Sequence, residues 1–143
     1  AAAGSRATGG ALMVAEPRIW VDVEAAVRVW ARDSVSSVGR REFFGWSKDA
    51  AMPQISLFRV AGPDDPCLIQ FDVWGTTKAQ SQSLAAELAS AADAIGRYTS
   101  DGVVLHGAAV SNVSWQPDEE SNTPRYVVDV TFFATSDGGA LES

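Results

Sequence analysis

Only one pair of side chains in this sequence could act as a nucleophile and its base, namely the single cysteine, Cys67, and the single histidine, His106. A cysteine nucleophile needs a neighbouring base that takes its proton. Against this, Cys67 lies in an alternating pattern where a small buried thiol is common. His106, which precedes Gly107, is expected to satisfy hydrogen bonds in or beside a strand. One cysteine cannot form an internal disulfide, and the two residues are too few for a zinc or haem site. We therefore expect that the chain is not an enzyme and that it has no catalytic residue, metal site or cofactor.

Phosphate-binding patterns are not found either. The nearest approach to a phosphate loop, Gly75–Lys78, lacks the first glycine of the motif and is followed by Ala79 where serine or threonine is required. The glycine pairs at 9–10 and 138–139 lie near the ends of the chain instead of between a strand and a helix. These departures exclude a nucleotide-binding loop of either kind.

Three consecutive acids, Asp118, Glu119 and Glu120, form the densest charge run of the sequence. A calcium loop needs spaced oxygen ligands and a turn glycine, which this run lacks. It lies in the segment 116–124, which contains two prolines and separates two strand-like runs. The pattern is typical of a solvated hairpin tip.

Composition indicates one folded domain with an uneven charge. The 143 residues are 46% hydrophobic and 20% charged, as in ordinary globular proteins. Residues 1–60 hold 8 Lys+Arg and 6 Asp+Glu, whereas residues 61–143 hold 3 and 12, which together give the net charge of −7. The acidic part would repel nucleic-acid phosphates. No apolar run approaches the ~20 residues of a membrane span, and no secretion signal is apparent, so we expect a soluble chain made in the cytoplasm.

Apolar spacing predicts two helices. The first covers about 21–32, with Val23, Val27 and Trp30 on one face and Asp22 at its start. The second is opened by Thr77 and Gln80, which fit a capping box, and ends at Gly96. Its predicted core face consists of Leu84, Leu88, Ala91, Ala92 and Ile95.

Period-two patterns predict the strands. They cover 54–60 and 67–74, which make one hairpin, then 103–115 and 125–134, which make a longer one, with a further short strand near 40–45. The resulting class is α+β, an antiparallel sheet with two main helices packed on one face and a long C-terminal hairpin. We expect a flexible arm over 1–16, a single domain over 17–135 and a short tail over 136–143.

Five tryptophans are many for a chain of this length. They lie near the ends of predicted elements, at Trp20, Trp30, Trp46, Trp74 and Trp115. Large rings at such positions either cap the edges of the core or form an interaction surface. The sequence leaves both interpretations open.

The order of these elements resembles the tail terminator, or tail completion, proteins of long-tailed bacteriophages. The similarity spans about residues 17–135 and rests on a strand that ends in Asp-Val-Trp-Gly at Gly75, an alanine-rich helix opened by Thr77, and a long hairpin whose last strand begins Arg125-Tyr126. It also includes the Val23–Val27 segment of the first helix.

This resemblance implies a structural role at the tail–neck junction of a virion. Proteins of that family form a hexameric ring that stops tail-tube polymerisation and joins the tail to the head-side connector, and they are not enzymes. The implied partners are further copies of the chain, a tail tube protein and a connector protein, with DNA passing through the bore without specific binding and with no membrane contact. Such a protein is made in the host cytoplasm and ends in the virion.

Two segments are the candidate sites. The first is a basic and aromatic stretch that can pair with the acidic portion of a neighbouring copy, or else fill the core of its own subunit; it contains Arg40, Arg41, Phe43, Phe44 and Trp46. The second is the acidic tip, which either lines the bore and repels DNA or docks on the tail-facing side. A different class of function, a small-molecule or peptide-binding module of cellular origin, would require a concave apolar pocket.

Overall fold

The computed structural model describes residues 22–35, 52–61 and 66–136. Along the chain these form helix α1 (Val23–Ser34), strands β1 (Gln54–Ala61) and β2 (Cys67–Trp74), helix α2 (Lys78–Asp93), and strands β3 (Tyr98–Ser100), β4 (Val103–Trp115) and β5 (Arg125–Ser136). The predicted α+β class is confirmed. The expected arm, the expected strand near 40–45 and residues 137–143 of the expected tail lie outside the described residues, whereas Ser136 belongs to β5.

The five strands form one antiparallel sheet in the order β1-β2-β5-β4-β3. Both predicted hairpins, β1–β2 and β4–β5, are present. The short β3 was not predicted. It pairs with β4 through a turn in which Asp101 and Gly102 both have positive φ (49° and 82°), as a two-residue hairpin requires.

The helix starts follow their capping residues. The Asp22 carboxylate accepts the amide of Ala25 at 2.9 Å, so α1 begins two residues later than predicted. At α2, the Thr77 hydroxyl accepts the amide of Gln80 at 3.0 Å, which is half of the predicted capping box. The other half differs, because the Gln80 side chain accepts the amide of Thr76 at 2.6 Å instead of that of Thr77. Gly96 adopts the predicted left-handed conformation, with φ of 59°.

Both helices pack on the same face of the sheet. A single core cluster joins apolar residues of α1 and α2 to one alternate set of strand residues. At its centre, Phe132 of β5 meets the ring of Trp30 from α1 at 5.4 Å between centroids and the ring of Phe71 from β2 at 6.3 Å, both edge to face. Neither α1 nor α2 is long and apolar enough to cross a membrane.

Adjacent phenylalanines of β5 separate core packing from exposure. Phe132 is fully buried, whereas Phe133 points to the other face and is 42% exposed. Replacing Phe132 with alanine should lower the free energy of unfolding by about 3–5 kcal/mol, because it leaves a cavity between two aromatic rings. The matched Phe133→Ala change should cost about 1 kcal/mol or less. Urea denaturation of the two variants measures the difference, and equal losses would contradict this assignment of the core.

Candidate functional site

The acidic tip is a closed turn at the end of the β4–β5 hairpin. The Gln116 amide donates to the Arg125 carbonyl at 3.0 Å, and a reciprocal pair of backbone bonds at 3.0 and 3.3 Å joins Asp118 to Thr123. Glu119 and Glu120 lie beyond this bridge and are exposed. The prediction of a solvated hairpin tip is thereby confirmed, and main-chain hydrogen bonds hold the conformation of the loop.

Asp118 differs from the two glutamates that follow it. Its carboxylate accepts hydrogen bonds from the hydroxyl of Ser121 and, at 3.2 Å, from the Ser121 amide. These bonds, the side-chain one above all, lower the pKa of Asp118 below the ordinary aspartate value. Asp118 thus acts as a turn residue, and Glu119 and Glu120 are the exposed acids of the tip.

Arg125 fixes the base of the tip to the sheet. Its Nε donates to the Gln116 carbonyl at 2.8 Å, and its guanidinium lies 5.1 Å from the centroid of the Trp74 ring. One of its terminal nitrogens is 3.8 Å from the Asp72 carboxylate. With three such contacts the guanidinium is held against the sheet, so the hairpin tip projects from a rigid base.

An open groove runs along the tip beside Trp115. This ring is 37% exposed, packs against Tyr126 at 5.3 Å, and has the Lys78 ammonium 4.9 Å from its centroid. The groove has a volume of about 620 Å³ and is lined by Trp115, Gln116, Pro117, Asp118, Glu119, Glu120 and Arg125. Because most of the lining is polar or charged, the groove suits contact with a macromolecular surface better than enclosure of an apolar small molecule.

The thiol and the imidazole of the only possible catalytic pair are not brought together. Cys67 is fully buried in the core on the helix side of the sheet. His106 is exposed, and its Nε2 lies 2.6 Å from the hydroxyl of Thr135, which alternates with the core residue Ala134 and so faces the other side. Among the residues that the structure describes, no three His, Cys, Asp or Glu side chains converge as metal ligands.

The other predicted site lies outside the described residues, since Arg40, Arg41, Phe43, Phe44 and Trp46 fall within 36–51. Of the tryptophans, Trp30 and Trp74 are buried and Trp115 is partly exposed. The exposure of four large apolar residues was not predicted from the sequence: Phe58, Val60, Val113 and Phe133. In β1, β4 and β5, apolar residues occupy both alternating sets of positions. A sheet that is covered on one face needs apolar residues in only one of these sets, so the second set was the signal for exposed apolar side chains.

The hydrogen bond between Asp118 and Ser121 can be tested by titration. Replacing Ser121 with alanine should raise the pKa of Asp118 toward the ordinary value, because the carboxylate loses its main donor. Since the folded-state pKa lies below the unfolded one, the stabilisation is present above the unfolded pKa and is lost as the pH falls through the folded value. Carboxyl-carbon NMR titration measures the change, with Ser83→Ala on α2 as the control. An unchanged pKa in the Ser121 variant would contradict this account of the turn.

Comparison with known proteins adds no relative. No protein-family model matches the chain, and no curated protein is significantly similar to it in sequence. The functional interpretation therefore depends on the residues and geometry described above.

Proposed function

We propose that this protein is a structural component of a phage virion, a tail terminator whose copies form a hexameric ring that ends tail-tube polymerisation and joins the tail to the head-side connector. The observation that carries the proposal is the rigidly based hairpin tip, which is closed by main-chain hydrogen bonds and projects two exposed glutamates. Such a tip is suited to contact with a large partner. The order of elements resembles that of the tail terminator family, which is the reason for proposing a tail tube protein and a connector protein as partners.

Exposed apolar side chains support assembly. Five large hydrophobic residues are between 37% and 50% exposed, namely Phe58, Val60, Val113, Trp115 and Phe133. Phe58 and Phe133 lie on the sheet face opposite the helices, whereas Val113 and Trp115 lie on the helix side of β4. Val60 is the extra residue of a bulge in β1. Exposed apolar area on two faces favours a subunit that is covered by neighbours. A head-to-tail arrangement of six copies closes into a ring when the rotation between neighbours is about 60°.

The charge of the tip is compatible with a bore through which DNA passes. Glu119 and Glu120 would repel phosphates, so DNA would slide without binding. The competing arrangement places the same tip on the tail-facing side as a docking hairpin. In both cases the protein acts by shape and charge at the tail–neck junction, with a tail tube protein and a connector protein as partners and without a cofactor or catalytic step.

A small-molecule or peptide-binding module is the alternative. It would use the groove beside Trp115, which is the feature that favours it. The groove is open and mostly polar, so it would take a peptide more readily than an apolar ligand. A monomer that binds peptides and leaves tube growth unaffected would support this alternative over the terminator.

The terminator function is tested directly by tube growth. Purified protein added to polymerising tail tube protein from the same phage should shorten the filaments in proportion to its concentration, because each ring blocks one growing end. Electron microscopy of filament lengths measures the effect, with heat-unfolded protein as the control. Filaments of unchanged length at a molar excess of protein over tube ends would contradict the proposal.

Charge reversal at the tip separates the two placements of the hairpin. Glu119→Lys with Glu120→Lys leaves the turn formed by Asp118 and Ser121 intact. If the tip lines the bore, tails should join heads normally and DNA ejection should slow, because lysines attract phosphates. If the tip docks on the tail, joining itself should weaken by about tenfold or more, because matched charges become repulsive.

The matched control reverses one exposed charge elsewhere, with Asp93→Lys at the end of α2. Head–tail joining is scored by counting complete particles, and ejection by the release of labelled DNA. Normal joining together with normal ejection in the tip variant would exclude both placements.

A further inference from the structure

Strand β4 has one side that lacks a strand partner along most of its length. It pairs with β5 over Val103–Trp115, but β3 covers its other side only opposite Val103–Leu105. From Gly107 to Trp115, the outer side of β4 therefore faces no strand within the part of the chain that the structure describes. At about 3.3 Å per residue, this open edge is about 30 Å long.

The hydrogen-bond pattern shows which amides this edge offers. The Gln116 amide donates to the Arg125 carbonyl, so the backbone groups of Gln116 point toward β5. In an antiparallel ladder the direction alternates from residue to residue. The amides of Ser114 and Asn112 then point toward β5 as well, and those of Trp115 and Val113 point outward.

This edge lacks the charges that usually protect an edge strand. Natural edge strands avoid unwanted pairing by means of charged side chains, proline, bulges or short length. β4 has 13 residues with no Asp, Glu, Lys, Arg or Pro, whereas β1, β2 and β5 each contain at least one charged residue. Two bulges, at Leu105/Gly107 and Val110/Asn112, interrupt the ladder, and the stretch from Asn112 to Trp115 is regular.

The residues that follow Leu105 in β4 are also less covered on their faces than the rest of the sheet. None of the residues 106–115 is buried, although half of a strand on a one-sided sheet would ordinarily be. Val113, at 45% exposure, and Trp115 lie on the helix side, where the rest of the sheet is covered by the core. The end of β4 thus combines a strand with no charged residue of its own, exposed apolar side chains, and outward amides that no strand in the described part of the chain pairs with.

We propose that the outer edge of β4, from Gly107 to Trp115, pairs with a strand of a second copy of this chain. Two copies carry a net charge of −7 each and repel one another over most of their surfaces. Between Gly107 and Trp115, β4 itself carries no acid. Two copies can approach along this strand, and main-chain hydrogen bonds then supply the attraction. That this edge is the contact between subunits of the ring rests on the proposed function. The pairing itself can be measured on the purified protein alone.

Hydrogen exchange read amide by amide tests the pairing in the unmodified protein. In dilute, dissociated protein, the outward amides of Val113 and Trp115 should exchange at least about tenfold faster than the inward amides of Asn112 and Ser114. At concentrations where the protein assembles, exchange at Val113 and Trp115 should slow by about tenfold or more, while Asn112 and Ser114 change little. Assembly without added protection at Val113 and Trp115 would overturn the inference.

A charged edge provides the second test. Val113→Lys places a charge on the edge at an exposed position. The control, Ala86→Lys, replaces an apolar residue with lysine at an exposed position of α2, away from the edge. Light scattering should show association weakened by about tenfold or more for Val113→Lys and unchanged for Ala86→Lys.

The outcomes separate the edge from the ring. A ring of six that persists in Val113→Lys would overturn the edge pairing and leave the terminator function standing. A dimer that Val113→Lys dissociates would support the edge pairing and contradict the ring. A wild-type protein that stays monomeric at high concentration would contradict both.

Discussion

The double pairing of β5 is the constraint on which the rest of the structure depends. This strand is bonded to β2 on one side and to β4 on the other, and its inward residue Phe132 lies between the rings of Trp30 and Phe71. Antiparallel pairing on both sides fixes the register of three strands together. A shift of one residue in β5 would move Phe132 to the outer face and Phe133 into the core. The helices, the hairpin tip and the β4 edge take their positions from this register.

The β4–β5 hairpin extends from this core to two features of the surface, the tip and the edge of β4. At one end, Arg125 holds the tip to Trp74 and Gln116, so that the exposed glutamates project from a fixed base. Along β4, the helices cover the first residues of the strand and leave the last ones open. Charge is concentrated at the tip and missing from the strand beside it. The hairpin therefore has a negatively charged projection at its tip and, beside it, a strand without charged residues.

Much of the fold could be predicted from the sequence because its signals are local. Alternation marked β1, β2, β4 and β5 to within two residues, and the caps at Asp22 and Thr77 placed the helix starts. β3 could not be found this way, since three residues carry no period and their pairing depends on the turn at Asp101–Gly102. The Gln80 side chain accepts the amide of Thr76 instead of that of Thr77, and this one-residue difference depends on the main-chain geometry of the turn.

The candidate site was predictable only in part. The acids of the tip stand out in the sequence, and their exposure follows from the two flanking strands. The division of roles between Asp118 and the glutamates depends on the hydrogen bonds from Ser121, which no pattern in the sequence indicates. The open edge of β4 is a property of strand order, because it requires β5 on one side and only the short β3 on the other. The sequence shows that β4 has no Asp, Glu, Lys or Arg, but it does not show that this strand has an open edge.

The central claim is that this chain works as one subunit of a closed ring at the end of a tail tube. Cryo-electron microscopy of the protein mixed with its cognate tail tube tests this claim most directly, because it shows both the symmetry and the place of binding. The account predicts a six-fold ring seated on one end of each tube, with a mass about six times the 15.1 kDa of the chain. Bare tube ends, or single subunits scattered along the tube wall, would contradict it.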